Sequence, residues 1–374
     1  MATAVVAAAY GGPEVLSVVE AEVPSPGPGE VTIEVRAAGV NPADYKLYSG
    51  AFGSSPDNLP VRLGLEVAGV ITEVGPDAAG PSGPLSVGDE VIAYPTQGGY
   101  ATAVTVPAKV VVPKPRELSW EQASGLLLAG ATAVHAAAAA KVGPGDTVLV
   151  HGGSGAVGLL AVQLSLAAGA KVVATASERN QALLREVGAV PVTYGPGLLD
   201  RVKQAAPSGV NAAIDAVGTD EAIDVSLALV PKPSRIVSIA AFHRADTGIM
   251  LIGNGPGADP GTEIRANAWR QLLPMAATDK LALLPARPTP SPKPAKPTPS
   301  SAKATPTASS HSSPHSEEVR AQCERMWIAT PPGRQEKRTC ELFDDARRSP
   351  LSGVGSTIRP RNCGVAGNGC RGRP

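Results

Sequence analysis

A glycine-rich stretch in the middle of the chain has the spacing of a phosphate-binding turn. Residues 153–158 read GSGAVG and fit the pattern G-x-G-x-x-G, between an apolar run, TVLV, and a long Ala/Leu segment. In that context the pattern predicts a turn from a β-strand into an α-helix that holds the diphosphate of a dinucleotide. Free amides and the positive end of the helix dipole would face the phosphates. The residues assigned to this turn are Gly153, Ser154, Gly155, Ala156, Val157 and Gly158.

The three glycines of this pattern have separate expected roles. Gly153 would permit the tight turn, Gly155 would leave room for the diphosphate near the backbone, and Gly158 would let the helix pack closely on the strand. The alternative interpretation is a glycine turn in an α/β domain that binds no dinucleotide.

The residues after the next apolar strand indicate which dinucleotide would bind. The strand-like run KVVATA ends at Ala176, where an NAD site usually has an Asp or Glu that bonds the ribose 2′-hydroxyl. Glu178 is a carboxylate that argues for NAD instead, but it comes one position late. Ser177 and Arg179 could instead bind a 2′-phosphate, so the sequence favours NADPH. A solvated charge in the first turn of a helix is the alternative interpretation of Arg179.

The elements that position these residues fall into distinct parts. Short Val-rich segments with Gly and Pro between them predict an all-β, barrel-like domain over residues 1–118. Over residues 119–255, alternating strands and helices predict a parallel sheet with right-handed crossovers. A helical return segment is expected over 256–284. The expected helices are 120–140, 156–168 and 179–187, and the expected strands are 147–150, 171–176, 212–215 and 235–240.

Composition and charge exclude several classes of protein. The 374 residues are 43% hydrophobic but only 3% aromatic, so the core must consist mostly of Ala, Val and Leu. The formal net charge is +0, which offers no attraction for nucleic acid or a membrane surface. No apolar run reaches the roughly 18 residues that a membrane span needs. The N-terminus lacks a basic region and a long apolar region, so we expect no signal peptide and a cytoplasmic protein.

The composition changes sharply at Pro285. The following residues, PARPTPSPKPAKPTPSSAKATPTASSHSSPH, cannot bury enough apolar surface to offset the entropy of ordering. We therefore predict a disordered tail over residues 285–374. The cysteine spacings in this tail match no zinc motif, which predicts free thiols. The cysteines are Cys323, Cys340, Cys363 and Cys370.

Residues 1–284 resemble the medium-chain dehydrogenase/reductase superfamily, in its zinc-independent quinone oxidoreductase branch of the zeta-crystallin type. The matching stretches occur in the family's order: AAGVNPADYKLYSG, GLEVAGVITEVG, VGDEVIAY, GGYATAVTVPAKVVVPKP, VLVHGGSGAVGLLAVQLSLAAGAKVVAT and IDAVG. The resemblance implies an α/β fold in which a GroES-like β-barrel catalytic domain precedes a doubly wound Rossmann domain. It also implies a cleft between the two domains and a homodimer.

The chain departs from the zinc-using relatives at the positions of their metal ligands. Those relatives place a Cys near Asn41 and a Gly-His-Glu motif where this chain has Gly64-Leu65-Glu66. Residues 1–284 contain no Cys, and a catalytic zinc needs about three side-chain ligands and a water. The sequence therefore predicts no metal site. The histidines of this part are scattered: His135, His151 and His243.

The expected lack of a metal restricts the chemistry of the hydride acceptor. An isolated ketone needs a Lewis acid for its developing negative charge. A quinone or an enone spreads that charge by conjugation, so a few oriented hydrogen bonds can stabilise it. We therefore expect a conjugated acceptor, with catalysis mainly by positioning in a closed, dry cleft.

The resemblance assigns catalytic residues to the segment NPADYK. Asn41 could donate a hydrogen bond to the acceptor or to the nicotinamide ribose, and Tyr45 or Tyr48 could donate a proton. Asp44 is included with them, although Asx-type bonds that fix the loop are its more direct interpretation. Lys46 reads equally well as a surface charge. The expected catalytic residues are Asn41, Tyr45 and Asp44.

Further cofactor contacts are also implied by the resemblance. Ordinary helix packing is the alternative for the threonine of AGATAVHA, and His135 in that segment reads as a satisfied helix residue. Asp215 is expected to end a strand. The implied contacts are Thr132, Tyr194, Gly218 in IDAVG and Asn254 in NGPG.

The resemblance stops where the tail begins, since the family ends with a strand and a helix that return to the catalytic domain. The tail can be translated in another frame, in which the third base of each codon is read with the first two bases of the next. That frame permits the sequence TYPLAEA-x-EAHALL-x-EGHTHGK, which resembles the family's ending. We hypothesise a shift of reading frame near Leu284–Arg287, which would expose apolar surface and leave a sheet edge unpaired. A genuine extension that adopts polyproline II and binds an SH3-like partner is the alternative.

Two function hypotheses follow from the sequence. The first is NADPH-dependent, metal-free hydride transfer to a small-molecule quinone or enone, with an enoyl thioester reductase as a variant. The second is a non-catalytic NADPH-binding or redox-sensing protein, or an inactive product of the frame shift.

Overall fold

The computed structural model describes residues 1–278 and 280–284, which lie in one compact unit. Several expectations concern the chain beyond Leu284, outside the described residues. They are the disordered tail, the free thiols, the polyproline segment and the shift of reading frame.

Antiparallel strands build the N-terminal part of the described chain. They are β1 (Ala2–Ala7), β2 (Leu16–Ala21), β3 (Glu30–Ala38), β4 (Val61–Arg62), β5 (Val67–Val74), β6 (Ala79–Gly80), β7 (Gly83–Pro84), β8 (Glu90–Ala93), β9 (Ala103–Pro107) and β10 (Val111–Pro113). The larger sheet has the order β10-β8-β5-β3-β9, a second has the order β2-β1-β4, and β6 pairs with β7. Alternate residues such as Val31, Ile33 and Ile71 lie in a shared core. The predicted β architecture is confirmed, but this part of the chain also contains an α-helix, Pro42–Tyr48, so it is not all-β.

A parallel six-stranded sheet follows. Its strands are β11 (Thr147–His151), β12 (Lys171–Ala176), β13 (Val190–Thr193), β14 (Ala212–Asp215), β15 (Ile236–Ser238) and β16 (Met250–Leu251). The spatial order is β13-β12-β11-β14-β15-β16, so the chain builds outward first on one side of β11 and then on the other. This is the strand order of a doubly wound Rossmann sheet, as predicted.

Helices connect and cover these strands. They are α1 (Pro42–Tyr48), α2 (Trp120–Ser124), α3 (Leu127–Ala139), α4 (Ala156–Ala167), α5 (Gln181–Glu186), α6 (Leu198–Ala205), α7 (Asp220–Leu229), α8 (Thr262–Asn267) and α9 (Trp269–Ala277). Helices α3 and α4 are rich in Ala and Leu and contribute to one core with β11, β12 and β14. Small side chains let helices approach closely: a Cβ on Gly130 would lie 2.5 Å from Leu272 Cδ1. Among the described residues, no helix is long and apolar enough to cross a membrane.

The structure corrects several expected element boundaries. The helix expected over 120–140 is two helices, because α2 ends at its C-cap Gly125 and α3 restarts at Leu127. The helix expected over 179–187 begins with a 3-10 turn, Glu178–Asn180. The strand expected over 235–240 covers only Ile236–Ser238, since Arg235 closes a 3-10 turn. The elements that the sequence patterns did not reveal include α1, β13, β16, α6 and α7.

Arg235 joins three segments at the amino end of the parallel sheet. Its guanidinium donates to the carbonyls of Ala140 and Lys141 after α3, and to both carboxylate oxygens of Asp146 at 2.8 and 3.1 Å. These hydrogen bonds lower the pKa of the Asp146 carboxyl. The forked guanidinium therefore ties the start of β15 to the loop that leads into β11.

We expect Arg235→Lys to lower the free energy of unfolding by about 1–3 kcal/mol, since an ammonium cannot reproduce the forked contacts. Because Asp146 has a lowered folded-state pKa, the ion pair contributes fully above the unfolded pKa of about 3.9 and is lost as the pH falls through the folded pKa. The difference between the two proteins should therefore shrink below about pH 4. Urea unfolding measures it.

Arg185→Lys is the matched control. Arg185 is exposed on α5, and within the described part of the chain its side chain bonds only that of Gln181, so its replacement should change stability by less than about 0.5 kcal/mol. Equal losses in the two variants would contradict the role assigned to Arg235.

Candidate functional site

The predicted cofactor residues lie at the carboxyl edge of the parallel sheet, apart from Thr132. The direction of winding reverses between β11 and β14, where His151 pairs with Asp215, and such a switch point forms the ligand crevice of doubly wound sheets. The chain places residues from five loops at this edge. Gly153–Gly158 follow β11, Ser177 and Arg179 follow β12, Tyr194 follows β13, Gly218 follows β14, and Asn254 follows β16.

The tight turn after β11 depends on a glycine just before the predicted pattern. Gly152 has φ +72, a left-handed conformation that favours glycine, whereas Gly153 is not in this region. The expectation that Gly153 permits the turn is therefore wrong. Gly153 instead packs against the next strand and helix, because a Cβ there would lie 2.7 Å from Ala174 Cβ and 3.3 Å from a Leu184 methyl.

The start of α4 is open to solvent. Gly155 is the exposed N-cap and has no side chain to accept a hydrogen bond from the first turn, so the amides of Ala156 and Val157 keep their donors available. A Cβ on Gly155 would meet only the Gly152 carbonyl oxygen, at 3.4 Å. These features form a cradle for an anion at the positive end of the helix dipole.

Gly158 fixes the position of α4 against the turn. A Cβ at this residue would lie 2.1 Å from the Gly152 carbonyl oxygen and 3.0 Å from Gly153 Cα. Both neighbours are backbone, so neither can rotate away. Gly158 was expected to let the helix pack on the strand, whereas the surface in contact with it is the backbone of the turn that follows the strand.

The loops after β12 and β13 present polar groups at the same edge. Asn180 Nδ2 donates to Ser154 Oγ at 3.2 Å, which joins the glycine turn to the segment that carries Arg179. Arg179 is exposed and forms no ion pair with any described residue. Tyr194 is 57% exposed, so its ring is available to a ligand. Ser177 is half-buried.

Two residues that sequence reasoning missed hold the loop that carries Tyr194. Arg201 donates to the backbone carbonyls of Thr193, Gly195 and Pro196, each at 2.8 Å. Glu221, at the start of α7, accepts from the Gly195 amide at 2.9 Å. Neither residue belongs to a motif. The available signal was that Arg201 is a cation in α6, the helix that follows a Gly-Pro-Gly loop.

Asp215 organises the loops after β14 and β15. Its buried carboxylate accepts from the amides of Val217 and Gly218, and from Ser238 Oγ–H at 2.6 Å. Ser238 Oγ in turn accepts from the amides of Ala240 and Ala241. Gly218 has φ +82, and a Cβ there would lie 2.7 Å from Ala240 Cβ. The expectation that Asp215 ends a strand is confirmed.

His151 lies beneath the switch point as a neutral base. Burial lowers its pKa to about 4, against the opposing charge of Asp215. The Ser226 hydroxyl donates its proton to the Ala222 carbonyl. In the 3.0 Å contact between His151 Nε2 and Ser226 Oγ, the donor must therefore be the Nε2–H of His151. His151 is therefore a structural partner of α7.

The segment NPADYK forms the start of α1, and its residues have different surroundings. Asp44 is buried and accepts from the Asn41 amide at 2.9 Å, the Gly64 amide at 3.3 Å and Tyr100 Oη at 2.9 Å. Burial raises the pKa of its carboxyl against these hydrogen bonds. Tyr45 is 45% exposed and contacts the Tyr48 ring edge-to-face at 5.4 Å. Asp44 thus holds the loop, and Tyr45 faces solvent.

Glu66 is a second buried carboxylate, and it contacts the candidate catalytic residue Asn41. Glu66 Oε1 accepts from Asn41 Nδ2 at 3.0 Å, and Oε2 accepts from the Leu128 amide in α3 at 2.9 Å. Its exposed fraction is 0%. Burial raises the pKa of Glu66 to about 7, although both hydrogen bonds lower it. Sequence reasoning missed this role; a lone Glu in the apolar run GLEVAGV was the signal.

Thr132 and His135 lie on α3. Thr132 is buried, and its Oγ1 donates to the Leu128 carbonyl at 2.8 Å, which is the helix-packing arrangement. His135 Nε2 contacts Asp259 Oδ2 at 3.1 Å, and Nδ1 accepts from Arg265 Nε at 3.3 Å. His135 is therefore the satisfied helix residue that was expected.

The described residues bring no three His, Cys, Asp or Glu side chains together in a metal-binding arrangement. The histidines expected to be scattered are engaged with separate partners. His135 contacts Asp259, His151 contacts Ser226, and His243 contacts Asp220.

Comparison with known families supports the two-domain architecture. The family "Alcohol dehydrogenase GroES-like domain" matches residues 27–116, and the family "Zinc-binding dehydrogenase" matches residues 156–254. The predicted GroES-like domain is thereby confirmed. Quinone oxidoreductase of Mus musculus is 34% identical over 239 residues, which are 62% of this chain and 70% of that protein.

Solved structures share the fold over most of their length. Escherichia coli quinone oxidoreductase complexed with NADPH is 26% identical with a TM-score of 0.63, and the match covers 75% of this chain and 90% of that chain. CurK enoyl reductase is 26% identical with a TM-score of 0.67, covering 78% of this chain and 92% of that chain.

The contact of Gly158 with the turn predicts a severe effect of one methyl group. Gly158→Ala must displace the Gly152 backbone, so we expect a loss of about 2–3 kcal/mol in the free energy of unfolding. Gly155→Ala, whose Cβ has space, should cost less than about 1 kcal/mol and serves as the control. Urea unfolding measures both, and a stable Gly158→Ala protein would contradict the packing argument.

Proposed function

Because the chain belongs to the medium-chain dehydrogenase/reductase family, in its quinone oxidoreductase branch, we propose that it is an NADPH-dependent oxidoreductase that reduces a quinone or an enone without a metal ion. One observation carries the proposal: the glycine-capped start of α4 opens at the switch point of the sheet. Ser177 and Arg179, which pairs with no acidic side chain in residues 1–278 and 280–284, stand there where NAD sites have a carboxylate.

The residues at the sheet edge fit a dinucleotide phosphate. The amides of Ala156 and Val157 would bind the diphosphate, since Gly155 leaves the cradle open above them. Ser177, Arg179 and Tyr194 would hold the 2′-phosphate end. The loops that carry Gly218 and Asn254 would line the nicotinamide end, together with Thr132. When bound, NADPH supplies the hydride.

The acceptor would lie against α1. Val40 and Phe52 are exposed apolar residues on either side of the helix, and they would cover an apolar ring. Asn41 and Tyr45 would orient the acceptor oxygen by hydrogen bonds, and Tyr45 Oη–H would supply a proton to it. Asp44 supports this arrangement by fixing the turn at the start of α1.

Two features support chemistry without a metal. Leu65 stands where the zinc-using relatives carry a histidine, and an alkyl group cannot ligate an ion. His135, His151 and His243 lie apart and bond to other residues. The remaining stabilisation of a developing negative charge comes from neutral donors, which suffices when conjugation spreads that charge.

An enoyl thioester reductase is the second candidate. The similarity to CurK enoyl reductase, at a TM-score of 0.67, favours it. Both reactions deliver hydride to a carbon conjugated with a carbonyl, so the same residues would serve either acceptor.

The proposal extends to domain organisation and assembly. Residues 1–118 would be the catalytic domain, 119–255 the NADP-binding domain and 256–284 a return segment. The protein would be a cytoplasmic homodimer, with neither nucleic acid nor membrane as a partner, since its net charge of +0 attracts neither.

Oxidation of NADPH with 1,4-benzoquinone, followed at 340 nm, tests the proposed function. We expect acceptor-dependent turnover that 1,10-phenanthroline does not inhibit. A parallel assay with an enone and an enoyl thioester separates the two candidates. Tight NADPH binding without turnover on any acceptor would favour a non-catalytic, redox-sensing protein, and chelator inhibition would overturn the metal-free mechanism.

Arg179→Ala tests the choice of nucleotide. A charge-assisted contact with a 2′-phosphate is worth about 1.5–3 kcal/mol, so we expect NADPH affinity to fall about 10- to 100-fold while NADH affinity stays unchanged. Arg185→Ala, which removes an exposed cation on α5, is the control. Fluorescence titration measures each Kd. Equal losses for both nucleotides would refute the assignment of Arg179.

A further inference from the structure

We propose that Glu66 is a positioning residue that orients the Asn41 side chain and ties it to the helix that carries Thr132. The inference rests on the proposed function, in which Asn41 faces the acceptor and Thr132 the nicotinamide. It adds a residue to the site that neither touches the acceptor nor belongs to a binding motif.

Hydrogen bonds to Glu66, together with the Leu128 backbone, join the two sides of the site. Asn41 Nδ2 donates to Glu66 Oε1 at 3.0 Å, and the Leu128 amide donates to Glu66 Oε2 at 2.9 Å. The carbonyl of the same Leu128 accepts from Thr132 Oγ1 at 2.8 Å. Glu66 thus bridges the N-cap of α1 and the first turn of α3, where the positive end of the helix dipole also favours its charge.

The carboxylate determines which way the Asn41 amide faces. An ionised carboxylate can only accept hydrogen bonds, so a rotated amide would bring two acceptor oxygens together. Glu66 is fully buried, and solvent cannot replace the lost bond. One N–H of the Asn41 NH₂ group is therefore held by Glu66, and the proposal assigns the other to the acceptor.

Loss of the negative charge would reverse this orientation. The Leu128 amide cannot rotate and always needs an acceptor, so Oε2 must remain an oxygen without a proton. A protonated Glu66, or a glutamine in its place, would then present a donor to Asn41. The Asn41 oxygen would turn toward residue 66, and the NH₂ group would turn away from its native position.

Other groups near Glu66 do not replace its charge. Asp44 on α1 is the neighbouring carboxylate, and its charge raises the pKa of Glu66. Tyr100 before β9 and Tyr94 after β8 face the same region, and burial raises the pKa of both phenols. Arg265 on α8 lies beyond Tyr94 and interacts with it. Glu66 changes charge near neutral pH, because its pKa is about 7.

Steady-state kinetics of Glu66→Gln with NADPH and 1,4-benzoquinone test the inference. We expect kcat to fall about 10- to 100-fold with the KM for NADPH unchanged, because the loss is one of orientation at the acceptor. Wild-type kcat should rise through about pH 7, and the variant should lack this rise. Glu73→Gln, an exposed carboxylate on β5, is the matched control and should behave as wild type.

A double-mutant cycle with Asn41→Ala separates positioning from a general structural role. If Glu66 acts through Asn41, adding Glu66→Gln to Asn41→Ala should cause no further loss of kcat. Additive losses would overturn the proposal. If Glu66→Gln does not fold, the pH profile of Asn41→Ala is the deciding measurement. The rise of kcat through pH 7 should be absent from that variant, and its persistence would refute the inference.

A spectroscopic measurement distinguishes failure of this inference from failure of the proposed function. In protein labelled with ¹⁵N-asparagine, the Asn41 side-chain amide signal, assigned by its loss in Asn41→Ala, should titrate near pH 7. The signal should not titrate in Glu66→Gln. This result supports the bridge even if no quinone is reduced, and an Asn41 signal with the same chemical shift in wild type and Glu66→Gln refutes it even if turnover is fast.

Discussion

The Gly152 carbonyl lies so close to Gly158 that a side chain on Gly158 would displace the backbone, and the candidate site depends on this contact. It brings the first turn of α4 against the end of β11, which leaves the exposed helix start at the switch point of the sheet. The free amides of a helix bind an anion only where the chain keeps them uncovered, and a glycine N-cap does so because it has no side chain to satisfy them. Backbone geometry, more than side-chain chemistry, thus makes the cradle.

Polar side chains around this contact hold the loops of the site in place. Asp215 and Ser238 bind the amides that follow β14 and β15, and Arg201 binds three carbonyls after β13. Each group satisfies backbone atoms that regular secondary structure leaves unpaired. The loops can therefore be glycine-rich and open to a ligand while their backbones stay ordered. Precise placement is what a reaction that relies on orientation requires.

Two buried carboxylates give the acceptor side a different organisation. Asp44 closes the turn at the start of α1 through two amides and a phenol, whereas Glu66 reaches across to α3. A carboxylate is costly to bury, and the cost is visible in the pKa of Glu66, which is about 7. The hydrogen bonds of such a carboxylate fix the orientation of the groups around it. In this chain it links the segment of Asn41 with the helix of Thr132.

Much of the fold and part of the site followed from the sequence alone. The Val-rich strands, the strand β11, the glycine turn and α4 were predictable because their patterns reflect local geometry: alternation for a strand, and glycine where a Cβ has no room. The short strand β13 escaped prediction because its four residues include a proline, and α6 and α7 because their polar faces resemble loops. Chemical motifs located Asn41 and Arg179 but could not say what their side chains contact.

The tertiary structure decided the partners of those side chains. Gly152, and not Gly153, takes the left-handed conformation, because the turn's path depends on how α4 and β12 pack around it. Asp44 is buried because Tyr100, 56 positions away along the chain, closes over it. Glu66 meets Leu128 across 62 positions. Local patterns carry information on backbone geometry, whereas contacts between distant residues depend on the assembled core, which brings them together only when the chain has folded.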